Sequence, residues 1–522
     1  MTTLSFYGGV GEIGGNKVLL EDGGTRLFLD FGTPFKQRYE YFEEYLKPRS
    51  GAGLLDILEM GLLPRLKGIY REDLDPEGRY TSRYQCRELA LDGVLVSHAH
   101  VDHTGYISFL RPEVPIYATA MTAFIAKAVQ DSAQSDFEKE VCYLNPRRDS
   151  GEGYLSTRGT SYQARPFVLL PDMPTGDAAR QFWASSPART KKLDAPLAAA
   201  RPETAGGLAL KHFPVDHSIF GATAYAIETS RGWVVYTGDI RKHGMGRRKT
   251  ERFLQEAAKL RPLALIIEGT RAEAGSHSSA TEEEVASNVT KELKAAGGLV
   301  VADFGPRNVE RLITFLDAAR ASKRRLVILS KDAYLLDAMH LADPAMPCPM
   351  ETPDLLIYQD LKDNPRPWEK DVLDRYASRL VNAAEVGRHP GDYVLSFSFW
   401  DIKNLIDIQP QSGTYIYSSS EAYNEEQEMD ARRLHNWLDH FNMRHVGLPE
   451  EDASGRWTPP PDQQGFHASG HASWPDIVDM IKEIGPKTVI PVHTENPSQF
   501  QEALRGTEIE VRVPELGKAL EL

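Results

Sequence analysis

Three imidazoles and a carboxylate fall within six residues at His98-Ala99-His100-Val101-Asp102-His103. Neutral imidazole and carboxylate are the nitrogen and oxygen donors that Zn2+ prefers and Mn2+ tolerates. The preceding run Val94-Leu95-Val96 has strand character and stops at Ser97, which puts the four polar side chains on a loop leaving a buried strand. Such a loop can aim several groups at one point. Alternation turns His98 and His100 one way and leaves Asp102 and His103 free to reach a second point nearby, which suits two metal ions rather than one.

The same placement recurs along the chain. His217 lies between two strand-like runs, Asp239 ends the run Trp233-Val234-Val235-Tyr236, Glu268 ends a buried run over 263–267, and His493 ends Val489-Ile490-Pro491-Val492. A carboxylate placed as Asp239 is suits bridging of two ions. His467 and His471 flank Ala468-Ser469-Gly470, and the glycine favours a loop ahead of a helix over 474–484 rather than two histidines on one helical face. The basic run Arg241, Lys242, Arg247, Arg248, Lys249 and Arg252 is either a solvated face or, turned toward the metal loop, a phosphate holder. Residues 145–205 have little periodicity and read as a mobile surface insertion, although Arg147, Arg148, Arg189, Lys191 and Lys192 offer contacts to an anionic substrate.

The elements that must position these groups can be read in outline. Gly9-Val10-Gly11-Glu12-Ile13-Gly14 has the letters of a dinucleotide fingerprint, but a hairpin over 17–30 with an Asp-Gly-Gly turn follows it, not the helix that fingerprint needs. The glycines therefore read as a tight turn. A helix is expected over 121–141, while 36–86 carries no assignable chemistry. Thr281-Glu282-Glu283-Glu284 is a capping box opening a helix whose Val285, Val289 and Leu293 share one face. After it strands and helices alternate (strands 299–303, 326–329, 393–397 and 415–418; helices 307–319, from 332, and 425–441), the pattern of a parallel α/β sheet, assigned to a second domain over 273–440.

Composition sets the remaining bounds. A chain of 522 residues exceeds one simple core. A net charge of −14 argues against a protein that coats nucleic acid nonspecifically, yet leaves room for a local basic groove. Cys86, Cys142 and Cys348 are dispersed, which points away from a disulfide framework and toward a reducing compartment. With no signal peptide and no membrane-spanning run in evidence, the expectation is a soluble cytoplasmic protein.

As a set, His98-x-His100-x-Asp102-His103, His217 and Asp239 resemble the ordered motifs of the metallo-β-lactamase fold, and Glu268, Ser469-Gly470-His471 and Pro491-Val492-His493 resemble the three further motifs of the β-CASP nucleases. Within that group the opening Gly-Gly-Val-Gly-Glu-Ile-Gly-Gly-Asn and Ser-Gly-His-Ala are most similar to the ribonuclease J family, from about residue 4 to 495. The resemblance implies an αββα sandwich interrupted by a β-CASP α/β domain: 1–272, then 273–440, then a return over 441–522. It implies one zinc on His98, His100 and His217, another on Asp102, His103 and His493, and Asp239 bridging them, with Mn2+ as the alternative metal. Asp102 would orient the nucleophile, His471 would be the acid, and Glu268 would orient His471. Helix starts at Arg307-Asn308 and Ser469-Gly470 would hold phosphates. Against the family pattern, the chain stops at Leu522 without the usual C-terminal domain, which puts a homodimer in doubt; the last motif reads His-Thr-Glu, and the insertion after the first motif is long.

The expected activity is hydrolysis of single-stranded RNA through a hydroxide activated by two zinc ions, endonucleolytic or 5′-to-3′ exonucleolytic, with His493 favouring RNA because the DNA-repair branch has valine there. The competing readings are a DNA nuclease of that branch, a glyoxalase- or lactonase-like hydrolase that would leave the second domain without a role, and an RNA-binding subunit devoid of metal.

Overall fold

The structure is a computed structural model that describes residues 1–43, 45–134, 136–170, 176–187, 193, 203–272, 280–419, 425–452, 455 and 457–522. Strict alternation along apolar strands builds it. Val18 and Leu20 face one core while Leu19 faces another; Leu27 and Leu29 are likewise opposed to Phe28, and Ala264 and Ile266 to Leu265 and Ile267. Strands buried on both faces demand cover on both sides.

That cover is an αββα sandwich, as the resemblance implies. One seven-stranded sheet runs, edge to edge, Phe167–Leu170, Ile116–Thr119, Gly93–Leu95, Thr25–Leu29, Val18–Asp22, Thr2–Phe6 and Ala519–Glu521. The other runs Thr204–Ala205, Leu208–Pro214, Thr223–Thr229, Gly232–Tyr236, Ala264–Glu268, Thr488–Val492 and Glu510–Val511. Their inner faces share a core of Leu4, Phe6, Leu29, Leu95, Tyr225, Val234, Ile266 and Ile490. Helices Arg247–Leu260 and Trp474–Ile484 cover the second sheet through Phe253, Leu254, Ile477 and Ile481. Thr25–Leu29 is parallel to Gly93–Leu95, and Gly232–Tyr236, Ala264–Glu268 and Thr488–Val492 are mutually parallel. Their carboxyl ends therefore open on one rim, where α/β sheets place their ligands.

A third seven-stranded sheet, all parallel, holds Leu380–Val381, Leu355–Tyr358, Arg325–Ile328, Tyr393–Ser396, Leu299–Asp303, Gly413–Tyr417 and Met443–Val446. Val300 and Ala302 face helices Glu282–Ala295 and Val309–Ala321, whereas Leu299 and Val301 share the opposite core with Leu434 and Leu438 of helix Glu425–His440. The capping box of Thr281 and Glu284 is present. Met443–Val446 extends this sheet past residue 440. Leu355–Tyr358 and Leu380–Val381, each a few residues long beside prolines or polar loops, escaped the periodicity reading.

Two expectations need correction. The helix over 121–141 is Ala120–Ser132; Asp136 then caps a tight turn, Phe137–Lys139, that sets Phe137 edge-on to Phe109, with centroids 5.6 Å apart. Residues 145–205 are not simply a surface insertion. Phe167–Leu170 is the edge strand of the first sheet, and Trp183 of helix Asp177–Ala184 packs on Phe124 and Phe167. Arg147 is buried and gives a hydrogen bond to Glu140 (3.1 Å), so it is committed to the fold. Arg148 is exposed, and Arg189, Lys191 and Lys192 lie outside the described residues. Among the described residues no helix is long and apolar enough to cross a membrane.

Candidate metal centre

The strand ends at the common rim bring distant histidines together. After Gly93–Leu95 the chain passes through Ser97 and His98, and a short helix, Val101–Thr104, begins after His100, so Asp102 and His103 project from its first turn. His217 sits in the connection between Leu208–Pro214 and Thr223–Thr229, Asp239 follows Gly232–Tyr236, and His493 follows Thr488–Val492. His493 has φ of 52°, a left-handed backbone that costs energy for a residue with a Cβ. Its amide is held there by the Gly9 carbonyl at 2.8 Å. The glycine loop presses on the centre: a Cβ on Gly14, itself at φ +84°, would stand 3.1 Å from Asp102 Oδ2.

His100 Nδ1 is 3.0 Å from His98 Nε2 and 3.1 Å from His217 Nε2, and Asp239 Oδ2 is 3.5 Å and 3.7 Å from those two rings. On the other side, His103 Nε2 lies 3.2 Å from Asp239 Oδ2 and 3.6 Å from Asp102 Oδ2, while His493 Nε2 lies 3.2 Å from Asp102 Oδ2 and 3.9 Å from Asp239 Oδ1. Within each of three groups, His98–His100–His217–Asp239, Asp102–His103–Asp239–His493 and Asp239–Glu268–His471–His493, the potential ligand atoms lie within 4.8 Å of one another. Asp239 is common to all three.

The tautomers test whether a cation fits. His217 Nδ1 is 2.6 Å from the Gly470 carbonyl, which can only accept, so Nδ1 carries the proton and Nε2 presents a lone pair. His103 Nδ1 gives its proton to Asp30 at 2.7 Å. Ser97 Oγ donates to Asp30 (2.7 Å), which leaves it to accept from His98 Nδ1 at 3.0 Å. The Nε2 lone pairs of these rings thus face other nitrogen lone pairs and carboxylate oxygens, a repulsive arrangement. His103 Nε2 and Asp239 Oδ1 are buried without a hydrogen-bond partner among the described residues. Cations with nitrogen and oxygen ligands answer both problems, and ring protons directed outward are how metal-binding histidines are held.

Electrostatics agree. Burial holds His98 and His217 well below the usual imidazole range and pushes His100 down to about 3, so these rings stay neutral. Burial also opposes charge on His103, but Asp239, Asp102 and Asp30 outweigh it and raise its pKa, so without a cation a second proton on this ring would supply the positive charge that a metal ion at its Nε2 would otherwise bring. Burial works against ionised Asp102 and Asp239 too, and positive charge standing where the rings of His103 and His493 are is what holds both carboxyls low. The carboxylate pair demands positive charge beside it.

Asp30 is the residue the sequence undersold. It shows there only as a polar end to a strand, yet it is fully buried and accepts from Ser97 N (2.7 Å), Ser97 Oγ (2.7 Å), His103 (2.7 Å) and Tyr236 Oη (2.6 Å). The sole sequence signal was a strand-terminal Asp-Phe-Gly before the histidine motif.

Glu268 accepts from Ile240 N (2.8 Å) and from His471 Nδ1 (2.9 Å). Burial disfavours charge on His471, but Glu268 and then Asp239 overcome it and push its pKa up to about 9, so His471 carries a proton at neutral pH. Ser469 and Gly470 position this loop: the Ser469 carbonyl accepts from Arg241 Nη1 (3.0 Å) and His243 Nε2 (2.9 Å), and the Gly470 carbonyl fixes His217. A Cβ on Gly470 would stand 2.6 Å from Ser218 Oγ and 3.1 Å from His217 Cε1, so a larger residue there would have to displace Ser218 and press on the ring of His217. Arg307 reaches the Ala99 carbonyl at 3.5 Å and feels the charge of Asp102, whereas the Asn308 side chain is occupied in capping helix Val309–Ala321. The basic run divides. Arg241 is fully buried among acids, and Arg247, Arg248, Lys249 and Arg252 are exposed on helix Arg247–Leu260.

Residues 464–514 match the family described as Zn-dependent metallo-hydrolase RNA specificity domain. Over 500 residues the chain is 24% identical to ribonuclease J of Mycolicibacterium smegmatis (strain ATCC 700084 / mc(2)155), covering 94% of this chain and 68% of that one. It is 20% identical over 506 residues to ribonuclease J of Pyrococcus abyssi (strain GE5 / Orsay), covering 95% and 90%. Among solved structures, a protein of unknown function from Enterococcus faecalis V583 is 20% identical with a TM-score of 0.66 over the whole of both chains, which speaks to the fold. The matched segment is the one that returns His471 and His493 to the rim, and along nearly the whole of its length the chain is similar to ribonuclease J, with the αββα sandwich and inserted α/β domain described above.

Proposed function

We propose that this chain is a metal-dependent ribonuclease that hydrolyses phosphodiester bonds of single-stranded RNA. The observation that carries the reading is the convergence of residues from His98 to His493 on one buried point, with neutral ring nitrogens and carboxylate oxygens aimed at one another. RNA as the substrate class is supported by the description of the matched family and by the names of the relatives.

In this reading His98, His100 and His217 hold one cation, Asp102, His103 and His493 the other, and Asp239 serves both; zinc suits the donor set and manganese is the alternative. When bound, such a pair supplies Lewis acidity and lowers the pKa of water toward neutrality. The chain's own residues do the rest. Asp102 orients the nucleophile from the first turn of its helix. His471, kept protonated by Glu268 and Asp239, gives its proton to the leaving 3′-oxygen, a contribution of about 10²–10⁴ in rate. Glu268 holds the acid by its Nδ1–H. Arg307 and the backbone around Ser469 and Gly470 receive phosphates. The domain assignment of 1–272, 273–440 and 441–522 belongs to the same proposal, with the middle domain carried to Val446 by its last strand. So does a cytoplasmic setting, consistent with free Cys86, Cys142 and Cys348.

The test is parallel digestion of matched single-stranded RNA and DNA, each end-labelled, with metal content measured on the same preparation. Cleavage of RNA alone supports the proposal, equal cleavage of both favours the DNA-nuclease reading, and a metal-free protein that binds RNA without cutting it overturns the activity. RNA bearing a 5′-monophosphate or a 5′-triphosphate separates trimming from internal cutting, since equal ladders from the two count against a 5′-exonuclease.

A further inference from the structure

Glu268 is read above as the partner of His471. The hydrogen bonds around it reach further, to a histidine on the metal side of the rim. Thr270 stands two residues past Glu268, at the end of a strand whose Glu268 lies in register with Val492, so it faces the chain at His493. Its Oγ1 is 2.6 Å from Glu268 Oε2, 2.8 Å from His493 Nδ1 and 3.1 Å from His471 Nδ1.

A hydroxyl has one proton and two lone pairs. His471 Nδ1 also lies 2.9 Å and 3.0 Å from the two Glu268 oxygens, and a carboxylate is the strongest acceptor in reach. The His471 proton and the Thr270 proton therefore both go to Glu268. What remains on Thr270 Oγ1 is lone pairs, and the group at 2.8 Å must donate to one of them. His493 Nδ1 thus carries the ring proton. His493 Nε2, 3.2 Å from Asp102 Oδ2, is left with a lone pair aimed at the carboxylates.

We propose that Thr270 is a positioning residue that sets the tautomer of His493 and so prepares it as a metal ligand, with Glu268 governing the acid His471 directly and the ligand His493 through the Thr270 hydroxyl. The inference rests on the metal-binding part of the function proposed above. It does not depend on the substrate. Outer partners of this kind are worth about 10–100-fold in metal affinity.

The experiment titrates Zn2+ alone against a chromogenic competing chelator in the metal-free wild type, Thr270→Val and Thr270→Ser, with a thermal melt of each metal-free chain as the control for folding. The tautomer of His493 is read in parallel, by nitrogen NMR of metal-free chains labelled in histidine and assigned with His493→Gln. Thr270→Val keeps the shape and removes the hydroxyl, so it should weaken one of two zinc sites by about 10–100-fold and leave the other unchanged. Thr270→Ser restores the hydroxyl and should return the affinity to within about threefold of wild type, well inside the effect expected of the lost partner. The Nδ1–H form of His493 should dominate in wild type and Thr270→Ser and give way to a mixture in Thr270→Val. Undiminished zinc affinity in Thr270→Val, or equal impairment of the serine variant, overturns the proposal. Should wild type take up no zinc, the metal reading falls, and the tautomer signal still decides the role of Thr270.

Discussion

Two clusters of buried ionisable groups lie side by side in this protein and end in opposite states. Asp216 and Arg241, neighbours in sequence of His217 and Asp239, belong to the second cluster. There Arg241 pairs with Asp216 (3.4 Å), Glu282 (3.1 Å) and Glu310 (2.6 Å), and Arg311 pairs with Glu282 (3.0 Å) while donating to the Ser418 and Phe466 carbonyls. Two guanidiniums thus bind three carboxylates. The surplus charge falls on Glu310, which burial, with help from Glu282 and Asp216, pushes from 4.5 up to about 7 against the pull of Arg241. At the rim, by contrast, Asp239 Oδ1 and His103 Nε2 have no partner among the described residues, and neutral rings face one another. Burial and charge alone do not mark a site. Unpartnered atoms do not separate the two either, since Arg241 Nε is also buried without a hydrogen-bond partner among the described residues; what does is that one cluster sets its own guanidiniums against its carboxylates, whereas the other sets only imidazoles beside them and so offers a place for cations.

The contrast can be broken most directly at Asp239. Asp239→Asn should abolish uptake of both ions and lower RNA cleavage by roughly 10³-fold or more, the several kcal/mol that bound cations contribute. Metal content and the rate on labelled RNA check it, and a variant that keeps both ions would show that Asp239 is not shared. His471→Ala should retain the ions and lose about 10²–10⁴ in rate; cleavage at the normal rate would remove His471 from the proposed acid role. Arg241→Leu attacks the other cluster. It strands buried carboxylates and should cost about 3–5 kcal/mol of stability, read from urea unfolding. Stability equal to wild type would mean that the ionic cluster does not hold itself together.

The smallest effect sharpens the comparison through pH. The folded-state pKa of Glu310 is raised above its ordinary 4.5, so its contribution to stability is fully present below about 4.5 and lost as pH rises through about 7. Glu310→Gln puts a permanently neutral amide in place of the titrating carboxyl, and the urea midpoint of wild type should therefore fall relative to the variant between about pH 5 and 7.5. A relative rise would reverse the sign assigned to Glu310.

Much of the rim was legible before the fold was known. His98, His100, Asp102, His103, His217, Asp239, Glu268 and His493 stand at strand ends or in the loops that follow them, a pattern visible in one dimension, and His471 stands in the loop that enters helix Trp474–Ile484. Asp30 and Thr270 look the same in sequence as any strand-end aspartate or turn threonine. Their roles arise from hydrogen bonds to His103 and His493, residues far away along the chain. The arginines were ambiguous for the same reason. Glu140 lies close to Arg147 in sequence but in no periodic pairing with it, and nothing near Arg241 told that Glu282 and Glu310 would claim it. The edge strand Phe167–Leu170 was hidden in an irregular stretch because its partner, Ile116–Thr119, lies across a helix.

Residue type and period determined which elements form and which side chains can bind a metal, since donor chemistry and the alternation of a strand are local properties. Tertiary structure alone decided which ring nitrogen of each histidine keeps its proton, and which buried charges are satisfied. Both depend on acceptors distant along the chain, such as the Gly470 carbonyl for His217 and Asp30 for His103, which reach hydrogen-bonding distance only when the strands and helices that carry them assemble.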